Sequence, residues 1–351
     1  MAGSGTCFVH VGVHKTGSTA IQTFLHSNAK LLRAREMVIL PPHFAVDLFV
    51  CSADDHRPLA AKTNRHLTNA AEIAAHRDYF TRRVSEEASL IGDRDCVISL
   101  ESLSILEDEE VARMAHLLGG LSKTVKIVIY LRRQDLQSVS ALQERIRGGA
   151  SLDNPFELPG KDYREILQRF QKSFSKKALL VRVFDRKEFP HGDVVADFAD
   201  LTGIRLEGLG PPRRVRESLP GNALVLMRWF NQYPSTLNPH RRKLLQTRFN
   251  AALETLPAGE ALAFSRAEAM AYASRFQQSN DWVRRQYFPK RKFLFDDDYS
   301  MFPESPANGG RVSRRCSASA VPPTSSWPIS RSIVSHAAPL YESATLKGCM
   351  T

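Results

Sequence analysis

The feature that most constrains the fold is Val125–Leu131 (VKIVIYL), a β-favouring run that is apolar at every position but Lys126 and ends in two arginines. A strand with apolar side chains on both faces must be covered on both faces, as in a parallel sheet packed between helices. Cys7–Val13 (CFVHVGV) has the same character, and further strands are expected at 95–100 and 178–184. Between them the period lengthens to that of a helix. Ile21, Phe24, Leu25, Leu31 and Leu32 share one helical face, and similar patterns run over 69–90, 108–118, 136–146, 163–173 and 194–202. The glycine pairs Gly119-Gly120 and Gly148-Gly149 read as helix stops.

The pattern changes over 216–288, which reads as three helices at 218–232, 238–255 and 265–285 with little strand signal. The expected organisation is an α/β domain over 1–308, with 216–288 as its mainly helical part. Residues 309–351 hold nine serines and four prolines without periodicity, which predicts a disordered tail.

Charge and composition narrow the classes. The formal net charge is +11, of which the tail supplies +4, and this favours an anionic partner. The basic residues are scattered rather than interleaved with aromatics, so no nucleic-acid partner is expected. No apolar run approaches the roughly 18 residues of a membrane span. The first residues, MAGSG, lack a signal-peptide pattern, so a cytoplasmic protein is expected. Five cysteines without a CxxC pair argue against a disulfide framework or a zinc site.

The chemistry concentrates at His14-Lys15-Thr16-Gly17-Ser18-Thr19, between the first strand and its helix. Backbone N–H groups in such a turn converge on an anion, and the helix N-terminus adds positive potential. Lys15 brings a full charge, while the hydroxyls of Thr16, Ser18 and Thr19 are candidate donors. Gly17 lets the backbone approach the ligand. The Walker A pattern places its lysine after the second glycine, whereas Lys15 precedes Gly17. The alternative for these six residues alone is a helix N-terminus that happens to carry a lysine.

This loop resembles the 5′-phosphosulfate loop K-[ST]-G-[ST]-[ST] of sulfotransferases that use 3′-phosphoadenosine 5′-phosphosulfate (PAPS), and HVGVHKTGSTAIQTFL is similar to bacterial members. A second motif agrees with it. Arg132 closes a strand and Ser140 follows eight residues later, the spacing with which that family grips the 3′-phosphate. Arginine's planar fork suits a phosphate, and strand C-terminal ends are where open α/β sheets bind ligands. The fold this implies is α/β, with a P-loop-type parallel sheet flanked by helices and a C-terminal helical subdomain. The family's basic-glycine loop has no clear counterpart; Arg284, Arg285, Lys290, Arg291 and Lys292 are the basic candidates.

The resemblance implies transfer of a sulfuryl group from PAPS, as co-substrate and without a metal, to a hydroxyl or amine of a small-molecule or glycan acceptor. Lys15 would offset charge on the leaving phosphate, and Arg132 and Ser140 would anchor the nucleotide. A base must take the acceptor's proton. Glu101, directly after the strand at 95–100, is the first candidate; its alternative is a glutamate favoured by a helix dipole. His14 is the second, being adjacent to Lys15. His10, within the first strand, reads as core. Two rivals share the fold: a nucleotide-dependent kinase, which lacks its Walker lysine here, and a relative that binds nucleotide without turnover.

Overall fold

The computed structural model describes residues 2–54, 69–150, 155–211, 221–232, 238–253 and 264–305. The tail expected over 309–351 lies outside them.

Five parallel strands form one sheet in the order β2-β3-β1-β4-β5. They are β1 (Gly3–Gly12), β2 (Met37–Ile39), β3 (Asp95–Ser99), β4 (Ser122–Leu131) and β5 (Leu179–Val183). Register pairs Cys7 with Cys96, Val9 with Ile98 and Ile127, and Ile129 with Val181. The helices of this part are α1 (Ser18–Ser27), α2 (Ala29–Arg33), α3 (Pro42–Ser52), α4 (Ala70–Ile91), α5 (Asp108–Leu121), α7 (Tyr163–Ser173), α8 (Val194–Thr202) and α12 (Gln277–Tyr287).

The two runs that lacked polar alternation divide their side chains between two cores. Cys7, Val9, Val11, Ile127 and Ile129 face one cluster, with Phe44, Phe80, Leu118 and Phe170 from the helices. Val128 and Tyr130 face the other, with Ile21, Phe24, Leu25 and Phe198. This period-two division explains why both strands had to be apolar at successive positions. The Cys7 thiol is pushed up by its hydrogen bond to Cys96 and by burial, so it behaves as a small core hydrophobe.

The chain divides into two compact units. The first, residues 1–133, 161–216 and 276–296, carries the sheet. The second comprises 134–160, 217–275 and 297–351. Its described helices are α6 (Gln134–Arg147), α9 (Gly221–Gln232), α10 (Pro239–Leu253) and α11 (Arg266–Ser274). Its core gathers Leu142, Ile146, Leu224, Met227 and Phe230. The helix expected over 265–285 is two helices, α11 and α12, and they belong to different units.

One other expectation needs correction. Gly119-Gly120 does not stop a helix: α5 runs through both to Leu121. A Cβ on Gly120 would lie 3.2 Å from Val84 Cγ1, so the missing side chain admits close packing of α4. The chain after Pro41 forms α3, a helix buried along most of its length.

The His10 ring is buried, with Nδ1 2.8 Å from Ser99 Oγ and its edges against Tyr130 and Phe198. Burial pushes its pKa down to about 3. The folded state therefore keeps the ring neutral, while the unfolded chain takes a proton below about pH 6.5. Stability is complete above that value and falls as pH drops toward 3. Between pH 7 and pH 5 the protein should lose about 2 kcal/mol more than a His10→Gln variant does. Urea unfolding of both proteins at the two pH values checks this; parallel losses would refute it.

Candidate functional site

In a doubly wound sheet, ligands bind beyond the strand C-terminal ends where neighbouring connections diverge. After β1 the chain turns to β2, on one side of the sheet, and after β4 it moves to β5, on the other. β1 and β4 are neighbours, so the switch point lies between the loop at 13–17 and Arg132.

The loop is shaped by two left-handed residues and a helix start. Lys15 has φ 69° and Gly17 φ 79°. The left-handed region costs a non-glycine residue about 1–2 kcal/mol, so Lys15 must be held there. Gly17 is the N-terminal cap residue of α1, with no side-chain cap and no acidic residue in the first turn. A Cβ at Gly17 would stand 2.9 Å from Val194 Cγ1 and 3.0 Å from Phe184 Cε2, so only glycine fits. The helix therefore presents its amide end uncapped, the arrangement that accepts an oxyanion.

The loop hydroxyls take different positions. Thr16 is fully buried and its Oγ1 donates to Val13 O at 2.5 Å. Its side chain thus secures the loop from inside, and what it offers an anion is its backbone N–H. This departs from the expectation of three donating hydroxyls. Ser18 Oγ is buried without a hydrogen-bond partner, a costly state that a ligand oxygen would relieve. Thr19 is exposed on the first turn of α1. The inward threonine, orphaned serine and uncapped helix together fit a phosphate or sulfate group.

Arg132 and Arg133 have opposite fates. Arg133 is 5% exposed and its Nη1 lies 2.7 Å from Asp296 Oδ1, a structural ion pair. Arg132 turns to the loop, where Nη1 donates to Lys15 O at 3.0 Å and the guanidinium lies 5.5 Å over the Phe184 ring. Its main chain is gripped by buried Tyr163, whose hydroxyl accepts from Arg132 N at 3.2 Å and donates to Arg132 O at 2.5 Å. Ser140 lies on α6, in the second unit.

Both base candidates stand together on the other side of the loop. Glu101 opens a short 3₁₀ turn, Glu101–Ile105, after β3. A Cβ at Gly12 would lie 3.1 Å from Glu101 Cβ, so glycine there admits the glutamate beside the loop. His14 Nε2 is 3.8 Å from Glu101 Oε1, and the side chains are 37% and 34% exposed.

The basic candidates run from Arg284 within α12 to Lys292 beyond it. Arg291 forms a two-pronged pair with Glu188, and Arg284 Nη1 donates to Arg291 O at 3.1 Å, so these cations act within the protein. Lys290 and Lys292 are exposed. Sequence reasoning missed Tyr163, Phe184 and Val194. Each comes from far along the chain and carries an ordinary core signature.

No group of three or more potential ligands among the described residues is suited to a metal ion, and none of their helices is long and apolar enough to cross a membrane. No known family model matches the sequence. An uncharacterised protein of Archaeoglobus fulgidus is 26% identical over 211 residues, a match covering 58% of this chain and 56% of that protein. Among solved structures, a sulfotransferase from Alicyclobacillus acidocaldarius is 14% identical with TM-score 0.38, covering 71% of this chain and 96% of that one. The sulfotransferase domain from the curacin biosynthetic pathway is 12% identical with TM-score 0.34, covering 78% and 98%. These are loose likenesses in the path of the backbone; this chain itself is an α/β protein with a five-stranded parallel sheet between helices.

Proposed function

We propose that this protein is a sulfotransferase, moving the sulfuryl group of PAPS onto a hydroxyl or amine of a carbohydrate or other small acceptor and releasing adenosine 3′,5′-bisphosphate. The observation that carries the reading is the 3.0 Å bond from Arg132 Nη1 to Lys15 O. It brings the guanidinium against the loop, which supports reading the two as grips for the two phosphate ends of a single nucleoside bisphosphate.

The uncapped start of α1, Ser18 and the loop amides would hold the 5′-phosphosulfate. Lys15 would meet the bridging oxygen, where negative charge grows as its bond to sulfur breaks. Arg132 would hold the 3′-phosphate. As the acceptor oxygen or nitrogen bonds to sulfur, its proton passes to Glu101, with His14 beside the carboxylate. Positioning and charge stabilisation then account for most of the rate. The buried, reduced thiols Cys7 and Cys96 suit a reducing compartment, so the enzyme is proposed to work in the cytoplasm.

Thermal unfolding with nucleotides tests the reading against a kinase. Adenosine 3′,5′-bisphosphate at a hundred times its Kd should stabilise the protein by about 2.7 kcal/mol, and ATP with magnesium much less. Stabilisation by ATP with magnesium alone would instead support a kinase.

A further inference from the structure

We infer that Arg132 is a positioning residue for Lys15 as well as an anchor for the nucleotide's 3′-phosphate, so that the two ends of the site are mechanically joined. The inference rests on the nucleotide reading above and adds a link between its parts. Lys15 sits at φ 69°, a conformation its side chain does not favour. The carbonyl of that same residue accepts the bond from Arg132. A guanidinium–carbonyl bond is charge-assisted and stronger than a neutral one.

Arg132 is itself well placed to hold another residue. Tyr163 grips its N–H and its carbonyl with one hydroxyl. Tyr163 is buried against the core, with its ring 6.2 Å from Phe295. Phe184 supports the guanidinium and also borders Gly17, where an added Cβ would meet it at 3.0 Å. The result is a continuous path from the core through Tyr163 and Arg132 to the backbone of Lys15. A guanidinium has five N–H donors in a plane, so one bond to the loop is compatible with others to a phosphate. An arginine that served only the 3′-phosphate would have no effect on a ligand lacking that group.

Isothermal titration with adenosine 5′-monophosphate and adenosine 3′,5′-bisphosphate separates the two roles. Arg132→Ala should weaken the monophosphate about fivefold, the worth of one hydrogen bond, and the bisphosphate by a larger factor. With saturating PAPS it should also lower kcat, which loss of an anchor alone would leave in place while raising KM. Monophosphate affinity within about twofold of wild type, with only the bisphosphate weakened, would overturn the inference while sparing the nucleotide reading. Wild-type protein that bound neither nucleotide would overturn both. Should Arg132→Ala lose its fold by circular dichroism, Tyr163→Phe keeps the ring and removes the hydroxyl that holds the Arg132 main chain. It should weaken the monophosphate about threefold, and unchanged affinity there would refute the link.

Discussion

Lys15→Ala is expected to slow sulfuryl transfer by about 10²–10³-fold, the usual cost of removing one group that stabilises charge arising in the transition state. The effect should fall on kcat, because that charge on the bridging oxygen appears only as the bond to sulfur breaks. Binding of the product nucleotide should suffer less, by about 1.5–3 kcal/mol. The fold should survive, since the Lys15 side chain is partly exposed and belongs to no core cluster. A useful control is Lys15→Gly, which relaxes the left-handed backbone and yet should be as slow as alanine. Steady-state rates with PAPS check the claim, and an alanine variant within about tenfold of wild type would remove Lys15 from the chemistry.

Glu101→Gln is expected to lower kcat by about 10²–10⁴-fold, the range for loss of a general base. Glutamine keeps the size of the side chain beside Gly12 but cannot accept the proton. His14 makes this prediction sharper, because its Nε2 lies only 3.8 Å from the carboxylate. If the two side chains handle one proton together, the Glu101→Gln, His14→Asn double variant should be little slower than Glu101→Gln alone, as groups acting as a unit are not additive. Multiplying losses would mean separate tasks. A slow His14→Asn protein with a fast Glu101→Gln protein would reverse the assignment.

Much of the sheet was legible because its strands carry a local signature. VKIVIYL and CFVHV could not leave either face wet, and a core cluster covers each face. β2 went unread because Met37–Ile39 is too short to show a period and acquires strand character by pairing with β3. The Ser265–Glu268 capping box sits at the expected start of the third C-terminal helix. The break at Arg275-Phe276 left no comparable mark in the sequence.

The site divides in the same way. The loop and its following helix are contiguous in the chain, so their spacing could be read directly. Arg132 stood out by its eight-residue spacing to Ser140, but the role of Arg133 could not be read, because it depends on Asp296, 163 residues away. Tyr163 reads as one more apolar helix position, and its grip on Arg132 exists only in the folded chain. Thr16 looked like a ligand donor until the turn pointed its hydroxyl at Val13 O.

The most direct measurement is a calorimetric titration of adenosine 3′,5′-bisphosphate into wild-type, Lys15→Ala and Arg132→Ala proteins. One crevice holding both ends of the nucleotide predicts binding near −8 kcal/mol, or about micromolar, weakened in each variant by about 1.5–3 kcal/mol. Equal affinities in all three proteins, or no saturable heat from the wild type, would contradict it.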